Sequence, residues 1–408
     1  MPHKKAALRV VPLDTHVRKS SQIGAEVILP DSMTLFAPQA LTENDTHVLR
    51  QALFDHGVLV IRGQLGIAPQ VLSDIASVFD PQAKKRPFWR QNAGHRFQEH
   101  IITKQLLEDP TGTPSYYYWK GRCRGLRGNP ALGTETPVVT MHNKLLQDQS
   151  SFHEHPLSDD EIKRGCTRPY RWHMDAPLYE SLPGFATSIH AIEVPHVPDQ
   201  QLQFPDGKSM PVAAGATLFF SGARNFELLS PEEQEFACNT TVQYAPRAYE
   251  WIRNCKASAD GLTIESLGQE KPFNELLEWN WEEVQAFPMV WKNYGNGKPH
   301  LQILGCCVYS LTTTDPVTGK SVVIDDIQEV RRICYSLQSK VYAPENIFAH
   351  RWEQGDLVMF HNRGLLHSIS GQLSHYPDKR LMWQCSMASR ALPEAYNTTG
   401  IWIDKRGG

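Results

Sequence analysis

The stretch Gly355-Asp-Leu-Val-Met-Phe-His-Asn-Arg-Gly-Leu-Leu-His367 gives the plainest indication of how this 408-residue chain folds. Its apolar run Leu357 to Phe360 follows a Gly-Asp turn, a pattern that predicts a short buried strand. Further short apolar runs bounded by Gly, Pro or Asp predict strands at residues 58–61, 186–194, 216–220, 300–309 and 381–387. Many short strands with few helices favour a mainly β fold with flanking helices, of the jelly-roll or a related β-sandwich type.

The predicted helices begin at residues that can cap a first turn. Thr42 precedes acidic residues and an apolar face, and Gly57 ends that helix. Ser230-Pro-Glu-Glu233 combines a cap, a proline at the first helical position and the acidic residue of a capping box. A third helix is predicted from about Asp326, where apolar residues recur at every third or fourth position. These helices are expected to be scaffold.

The chain is interpreted as an N-terminal tail, residues 1–20, followed by a single domain over residues 21–408. The tail is basic and has no periodicity, so it is predicted to be a surface tail or an edge strand. Two segments of the domain are predicted to be loop insertions. One covers about residues 80–170 and is rich in Gly, Pro, His, Arg and Tyr; the other covers residues 260–292 and carries three tryptophans.

Charge and cysteine usage restrict the kinds of partner that the protein can have. The 41 basic and 44 acidic residues give a net charge of −3, which is no electrostatic footprint for nucleic acid or an anionic membrane. The eight cysteines lack C-x-x-C spacing, and no apolar run has the length of a signal peptide or of a membrane helix. A cytoplasmic protein with a small-molecule partner is therefore expected. Whether it forms a homo-oligomer is left open.

Three residues have the chemistry of a metal site. In Arg171-Trp-His-Met-Asp175, His173 and Asp175 are two residues apart, so in an extended backbone both side chains leave the same face. His367 follows the strand at residues 357–360 and can supply a third ligand. Two histidines and one carboxylate on one face of iron(II) leave three positions open, which suits a bidentate 2-oxo acid and dioxygen.

An isolated H-x-D motif is a weak signal, but two further residues strengthen it. Arg380 stands thirteen residues after His367 and could clamp the distal carboxylate of 2-oxoglutarate through two hydrogen bonds. Thr217, in Gly215-Ala-Thr-Leu-Phe219, can supply a hydroxyl group to the same carboxylate. Arg363 is an alternative to Arg380 as the clamp.

With these motifs the chain resembles the TauD/TfdA family of iron(II)- and 2-oxoglutarate-dependent dioxygenases over about residues 42–390. Within that family it is similar to the fungal xanthine dioxygenase group, through residues 287–293, 352–368 and 380–385. The resemblance implies a double-stranded β-helix (jelly roll) that binds iron(II) at His173, Asp175 and His367. It also implies an enzyme that consumes dioxygen and converts 2-oxoglutarate to succinate and CO2 while oxidising a small substrate.

Departures from the family pattern bear on the substrate. Relatives that oxidise sulfonates carry a second arginine where this chain has Gln384, so an organosulfonate is disfavoured. Gln384 could pair with an amide or purine edge. The xanthine group has an asparagine two residues after this glutamine, whereas this chain has Ser386. Halogenating relatives lose the metal carboxylate, and Asp175 is retained, which favours hydroxylation or desaturation. Gln384, Ser386 and Trp172 are the candidate substrate-binding residues.

Other residues admit a structural interpretation. His153-Glu-His155 resembles a rival metal cluster, but surface histidines are the better explanation. Trp172 and Tyr179 could stack on a flat substrate, although aromatic residues in a β core mostly fill space. His361 is expected to lie behind the site or in the core, and Cys306-Cys307 is expected to be buried in a strand.

Three functions therefore stand at this point. The leading hypothesis is oxidation of xanthine or a related purine. A second keeps the same chemistry but gives it an amino acid or a secondary-metabolite intermediate, because Ser386 departs from the xanthine pattern. A third is a non-catalytic β-sandwich that binds a metal or ligand, since jelly rolls host many functions.

Overall fold

The computed structural model describes most of the chain. The residues that it describes are 7–17, 19–83, 139–142, 152–176, 178–179, 181–371 and 380–396. Most of the insertion predicted at about residues 80–170 therefore lies outside the described residues.

Strands outnumber helices in the described fold. In chain order they are β1 Arg9–Pro12, β2 Ala25–Ile28, β3 Val58–Ile61, β4 Val139–His142, β5 Cys166–Thr167, β6 Ala186–Glu193, β7 Gln200–Gln203, β8 Ser209–Val212, β9 Thr217–Ser221, β10 Thr240–Tyr244, β11 Ala286–Pro288, β12 Val290–Lys292, β13 Pro299–Leu301, β14 Val308–Thr314, β15 Ser321–Ile324, β16 Phe348–His350, β17 Leu357–His361, β18 Leu365–Ile369 and β19 Leu381–Ser386.

Helices are fewer than strands in the described ranges, although the longest of them exceed any strand in length. They are α1 Glu43–His56, α2 Pro69–Phe79, α3 Asp159–Lys163, α4 Gly222–Glu227, α5 Pro231–Cys238, α6 Ala248–Trp251 and α7 Ile327–Gln338. The predicted caps are confirmed. Thr42 and Ser230 each complete a capping box, and Asp326 accepts from the backbone of Glu329. None of the helices in the described ranges is long and apolar enough to span a membrane.

The largest sheet has the strand order β1-β2-β3-β17-β6-β19-β4, with β1 at one edge. Its pairs are antiparallel except β2 with β3. Side chains of β3 alternate between two apolar clusters, as the period of a strand requires. Leu59 and Ile61 share one cluster with residues of α1 and α2. Val58 and Val60 belong to the cluster on the opposite face.

A three-stranded sheet, β16-β9-β18, faces the large sheet. Every residue of β9 is buried. The cluster between the sheets includes Val60 and Met382 from the large sheet and Phe219 from β9. Smaller sheets, β11-β10-β14-β15, β5-β7-β8 and β12-β13, complete the strand pairing. The two facing sheets form the sandwich that the spacing of the apolar runs predicts.

The prediction of one continuous strand over residues 300–309 is wrong, because the chain leaves the strand between residues 301 and 308. β13 ends at Leu301, a 3-10 turn occupies Gly305–Cys307, and β14 begins at Val308. A Cβ atom on Gly305 would lie 2.6 Å from the carbonyl oxygen of Leu262 and 2.7 Å from Oε1 of Gln338. The chain therefore turns where only glycine fits. Cys306 and Cys307 are buried as expected, but in this turn rather than in a strand.

The segment predicted as an insertion at residues 260–292 is mostly irregular but not wholly loop. It contains 3-10 turns at Phe273–Glu275 and Trp281–Glu283, and then β11 and β12. β11 pairs with β10, and β12 pairs with β13. This part of the chain is therefore integrated into two of the smaller sheets.

Candidate metal centre and adjoining cavity

His173 and His367 face each other across a local strand pairing. The two residues form an antiparallel bridge in which each backbone N–H donates to the other residue's carbonyl at 2.9 Å. His367 lies in the middle of β18, which also pairs with β9. The centroids of the two imidazole rings are 4.1 Å apart. Backbone pairing therefore brings together two histidines that are far apart in sequence.

Asp175 completes a group of three possible metal ligands. Its Oδ1 is 3.8 Å from Nε2 of His367, and one ligand atom from each of His173, Asp175 and His367 lies within 4.8 Å of the others. All three side chains are buried. It is the one such group of His, Cys, Asp and Glu found in the described ranges. Two nitrogens and one carboxylate are a donor set that fits iron(II).

Hydrogen bonds and burial prepare the histidines to act as ligands. Nδ1 of His173 lies 2.8 Å from the carbonyl oxygen of Arg171. A carbonyl only accepts, so Nδ1 carries the hydrogen and Nε2 keeps its lone pair. Neither ring nitrogen of His367 has a hydrogen-bond partner among the described residues. Burial lowers the pKa of His173 and of His367 to about 3, so both are neutral at physiological pH.

Asp175 is fixed by side chains from three other places in the chain. Its Oδ2 accepts from Oγ1 of Thr187 at 2.7 Å and from Nε2 of Gln384 at 2.9 Å. The side chain of Asn362 accepts from the Asp175 backbone N–H at 2.7 Å and donates to its carbonyl at 2.9 Å. Burial raises the pKa of Asp175, and the neighbouring His173 and the hydrogen bonds from Thr187 and Gln384 oppose that rise.

Sequence analysis missed Thr187 and Asn362. Thr187 has no local motif to mark it, since it is one of several polar residues in the strand β6. Asn362 lies in the turn between β17 and β18, and its only sequence signal is its place five residues before His367.

Gln384 and Ser386 lie on the same face of β19 and belong to this network. Gln384 directs its amide to Asp175. Oγ of Ser386 is 3.2 Å from Oγ1 of Thr187. Both residues are buried. These two of the three candidate substrate residues therefore lie beside the metal group, and Gln384 contacts Asp175 directly.

Arg380 and Thr217 lie close to one another through Gly215. Nε of Arg380 donates to the carbonyl oxygen of Gly215 at 2.9 Å, two residues before Thr217. Oγ1 of Thr217 accepts from the indole of Trp352 at 3.1 Å. The strand register links Thr217 to the strand of His367, because Phe219 pairs with His367 and Thr217 pairs with Ile369.

Arg363 is tied to the backbone. Its guanidinium donates to the carbonyl oxygen of Pro183 at 3.0 and 2.7 Å and to that of Ala391 at 2.6 Å. It also lies 4.1 Å from the ring centroid of Phe185. These contacts give Arg363 a structural role in joining two segments of chain, which makes it a poor alternative to Arg380.

Trp172 packs as a core residue and also borders the site. Its ring lies 4.7 Å from that of Phe220, and its indole N–H donates to the carbonyl oxygen of Asp260 at 2.8 Å. Trp172 and His173 both line a small cavity. Tyr179 has its ring 4.1 Å from the guanidinium of Arg247, and its hydroxyl accepts from the backbone of Asn280 at 3.1 Å.

The other histidines considered from the sequence are not part of the metal group. His153 is buried, which corrects the expectation of a surface residue, and its Nε2 lies 3.0 Å from the carbonyl oxygen of Pro169. The side chain of His155 is 77% exposed. His361 is buried against the rings of Phe54 and His300.

Comparison of the sequence with known proteins gives matches to one family of dioxygenases. Residues 125–386 match the family model described as taurine catabolism dioxygenase TauD, TfdA family. The chain is 33% identical over 385 residues to the α-ketoglutarate-dependent xanthine dioxygenase xanA of Emericella nidulans, covering 94% of this chain and 97% of that protein. It is 34% identical over 357 residues to the α-ketoglutarate-dependent xanthine dioxygenase xan1 of Schizosaccharomyces pombe, covering 86% and 83% of the two chains.

The fold is similar to that of a solved structure with little sequence identity. The crystal structure of AAD-2 in complex with Mn(II) and N-oxalylglycine superposes with a TM-score of 0.53 at 14% identity, covering 95% of this chain and all of that one (100%). The predicted double-stranded β-helix, or jelly roll, is thereby confirmed as the fold class.

Proposed function

The chain belongs to the TauD/TfdA family of α-ketoglutarate-dependent dioxygenases, and from this premise we propose that it oxidises xanthine or a related purine at iron(II) bound by His173, Asp175 and His367. Membership confirms the resemblance that the motifs indicate. It also removes the non-catalytic β-sandwich from consideration, because the family and the relatives are enzymes.

The buried His173, Asp175 and His367 group is the observation that carries the proposal. Its ligand atoms are within 4.8 Å of one another, and both histidines are neutral. Bound iron(II) would supply the redox chemistry that couples decarboxylation of 2-oxoglutarate, with release of succinate and CO2, to oxidation of the substrate by dioxygen. A divalent cation would also offset the cost of burying the Asp175 carboxylate.

Arg380 and Thr217 are proposed to bind the distal carboxylate of 2-oxoglutarate. Both are buried, and Arg380 already contacts the segment that leads into Thr217. Arginine donates from several N–H groups in one plane, and the hydrogen bond from Nε to Gly215 orients the guanidinium. A buried guanidinium beside a hydroxyl group is a suitable environment for a carboxylate.

Gln384, Ser386 and Trp172 are proposed to contact the substrate. Nε2 of Gln384 donates to Asp175, so a substrate N–H would be recognised by its Oε1. Gln384 would then connect substrate and metal ligand directly. Trp172 lines the cavity next to His173 and would present part of its indole to a flat ring.

Substrate-dependent succinate formation tests this function. The purified chain is supplied with iron(II), 2-oxoglutarate and dioxygen, and a panel of purines and amino acids is compared. We expect xanthine or a related purine to give succinate and a product one oxygen atom heavier in equal amounts. Turnover with an amino acid alone would overturn the purine assignment and support the second hypothesis. No 2-oxoglutarate turnover with any compound would overturn the chemistry.

The metal assignment is tested by a matched pair of histidine variants. His173→Ala should abolish turnover and the weak visible charge-transfer band that appears on anaerobic titration with iron(II) and 2-oxoglutarate. His155→Ala should leave both unchanged, because His155 is exposed and outside the group. Circular dichroism of both variants controls for folding. Retention of the band in folded His173→Ala would contradict the assignment.

A further inference from the structure

Trp352 forms a hydrogen bond with one of the residues proposed to bind 2-oxoglutarate. Its indole N–H donates to Oγ1 of Thr217 at 3.1 Å, and both side chains are more than nine-tenths buried. The two residues are 135 positions apart in sequence. They meet because His350, the last residue of β16, pairs with Thr217 on β9, and Trp352 follows two residues later. The register of the β16-β9-β18 sheet therefore brings the indole to the hydroxyl group.

The hydroxyl group of Thr217 lies inside the sandwich. Side chains two residues apart along a strand leave the same face, so Thr217 shares a face of β9 with Phe219. Phe219 and Trp352 both belong to the apolar cluster between the facing sheets. Arg380 reaches the same place from the large sheet, because its Nε donates to the carbonyl oxygen of Gly215. Trp352 is therefore buried beside the place proposed for the distal carboxylate of 2-oxoglutarate.

The indole N–H restricts what the hydroxyl group of Thr217 can do. An indole N–H only donates, whereas a threonine hydroxyl group has one hydrogen to donate and two lone pairs that accept. Because Oγ1 accepts from Trp352, its own hydrogen must point elsewhere. The contact with Trp352 is the one hydrogen bond of this oxygen within the described part of the chain. A hydroxyl group that already accepts is also a stronger donor, because adjoining hydrogen bonds polarise one another.

Trp352 is itself held in place by the loop that carries it. Its ring packs edge to face on that of His350, with centroids 4.5 Å apart. Nε2 of His350 lies 3.1 Å from Oδ2 of Asp356. The same oxygen accepts from the backbone N–H of Glu353 at 2.9 Å and from the guanidinium of Arg62 at 2.6 Å. Asp356 therefore fixes the loop on one side of Trp352, while β16 fixes it on the other.

We propose that Trp352 is a positioning residue for 2-oxoglutarate, which holds the hydroxyl group of Thr217 so that its hydrogen is directed to the distal carboxylate. Trp352 acts only through Thr217, a role that rests on the proposed function of Thr217 and Arg380 as the carboxylate site. A carboxylate only accepts, so its site needs donors that already point towards it. Without the indole N–H, the hydroxyl group can rotate and donate to a nearby backbone carbonyl instead.

The test measures the Kd of 2-oxoglutarate by anaerobic titration of the iron(II)-loaded protein, followed at the charge-transfer band. Trp352→Phe keeps an aromatic ring but removes the N–H donor, and should raise this Kd about 3- to 10-fold, the net worth of one hydrogen bond. Thr217→Val should raise it about 10- to 100-fold, because it removes a donor to a charged group. In the double variant the Kd should equal that of Thr217→Val, since the group through which Trp352 acts is then missing.

Two controls separate positioning from packing. 2-Oxopentanoate has a methyl group where 2-oxoglutarate has its distal carboxylate, so its Kd should be the same in Trp352→Phe and in the wild type. Trp291→Phe is the matched control variant, because Trp291 is buried and its indole N–H donates to the carbonyl oxygen of Pro288 at 2.7 Å. It should leave both Kd values unchanged. If circular dichroism shows that Trp352→Phe is unfolded, 3-benzothienylalanine at position 352 keeps the indole shape and replaces only the N–H by sulfur.

The outcomes distinguish this role from the carboxylate site on which it depends. An unchanged Kd for 2-oxoglutarate in folded Trp352→Phe, with a raised Kd in Thr217→Val, would overturn the role of Trp352 alone. So would a double variant whose Kd rises by the product of the two single factors, or an equal rise for 2-oxopentanoate. An unchanged Kd in Thr217→Val would instead overturn the proposed carboxylate site, a result that the threonine variant gives without any change at Trp352.

Discussion

The space between the two facing sheets has an apolar end and a polar end, and the same two strands line both. On the inner face of β19, Met382 belongs to the apolar cluster, whereas Gln384 and Ser386 form hydrogen bonds around Asp175. On β6, Ile189 belongs to the apolar cluster and Thr187 donates to Asp175. The backbone register is the same at both ends, because residue 384 pairs with 189 and residue 386 with 187.

The difference shows how one scaffold serves two purposes. Apolar side chains between the sheets gain free energy from burial, at about 25 cal/mol per Å² of surface removed from water. Buried polar groups gain little and cost free energy when a partner is missing. At the polar end these groups are arranged around one carboxylate that a metal can use. We infer that the apolar end supplies stability and that the polar end positions the site.

The largest stability effect should come from the apolar end. Met382→Ala should lower the free energy of unfolding by about 2–5 kcal/mol, the usual cost of truncating a large buried side chain. Met382 is fully buried in the cluster between the sheets. Urea unfolding of the metal-free protein measures the change. Turnover of 2-oxoglutarate per folded molecule should stay near wild type.

Ser386→Ala is the matched variant on the same face of β19. It should cost no more than about 1.5 kcal/mol, the net worth of a typical hydrogen bond. Equal losses of stability in the two variants would show that both ends of the inner face stabilise the fold alike. That result would remove the division between them.

Substitutions at the polar end should change the affinity for iron(II) rather than the stability of the fold. Thr187→Val keeps the shape of the side chain but removes the hydroxyl that donates to Oδ2 of Asp175 at 2.7 Å. Groups that orient a metal ligand contribute about 10- to 100-fold in affinity. The apparent Kd for iron(II) should rise by that factor, as measured by anaerobic titration in the presence of 2-oxoglutarate.

Thr240→Val supplies the control for the threonine variant. Thr240 is buried too, and its hydroxyl donates to the carbonyl oxygen of Phe236, far along the chain from the metal group. This variant should lose some stability and bind iron(II) as the wild type does. An unaltered Kd for iron(II) in Thr187→Val would mean that Gln384 and Asn362 suffice to orient Asp175.

The parts of the fold that local patterns specify could be predicted from the sequence. The caps at Thr42 and Ser230 and the buried run at residues 58–61 are encoded within a few residues. α2 was not predicted, although its apolar residues recur at helical spacing. The break at Gly305 could not be predicted either. Its cause is the closeness of Leu262 and Gln338, which are distant in sequence.

In the site, too, local features could be predicted from the sequence, whereas contacts between distant residues could not. The spacing of His173 and Asp175 within one extended segment identifies a pair of ligands, and the motif around His367 supplies the third. The pairing of His173 with His367 across strands is what the structure adds. Sequence analysis assigned Gln384 to the substrate from its place in the family pattern, and no local pattern relates it to Asp175. Their hydrogen bond joins residues 209 positions apart, so only the folded chain reveals it.

The smallest predicted effect concerns the pH dependence of stability near the polar end, at His300. This histidine lies 5.8 Å from His361, the last residue of β17. Its Nδ1 donates to the carbonyl oxygen of Gly364 at 2.8 Å, and its Nε2 accepts from the amide of Asn293 at 3.3 Å. These partners fit the neutral ring, because a protonated Nε2 could not accept. Burial lowers the pKa of His300 to about 4, against the hydrogen bond to Gly364, which raises it.

The sign of the effect follows from proton uptake. Between about pH 6.5 and pH 4 the unfolded chain binds a proton at His300 that the folded protein does not, so stability falls as the pH falls through this window. From pH 7 to pH 5.5 a single such histidine accounts for about 1 kcal/mol of lost stability. In His300→Gln the loss over this interval should be smaller by that amount, measured by urea unfolding of the metal-free protein. His47→Gln, at an exposed position on α1, should behave as the wild type does. If His300→Gln lost as much stability as the wild type between pH 7 and pH 5.5, His300 would have to be protonated in the fold, and the buried polar end would tolerate charge without a metal.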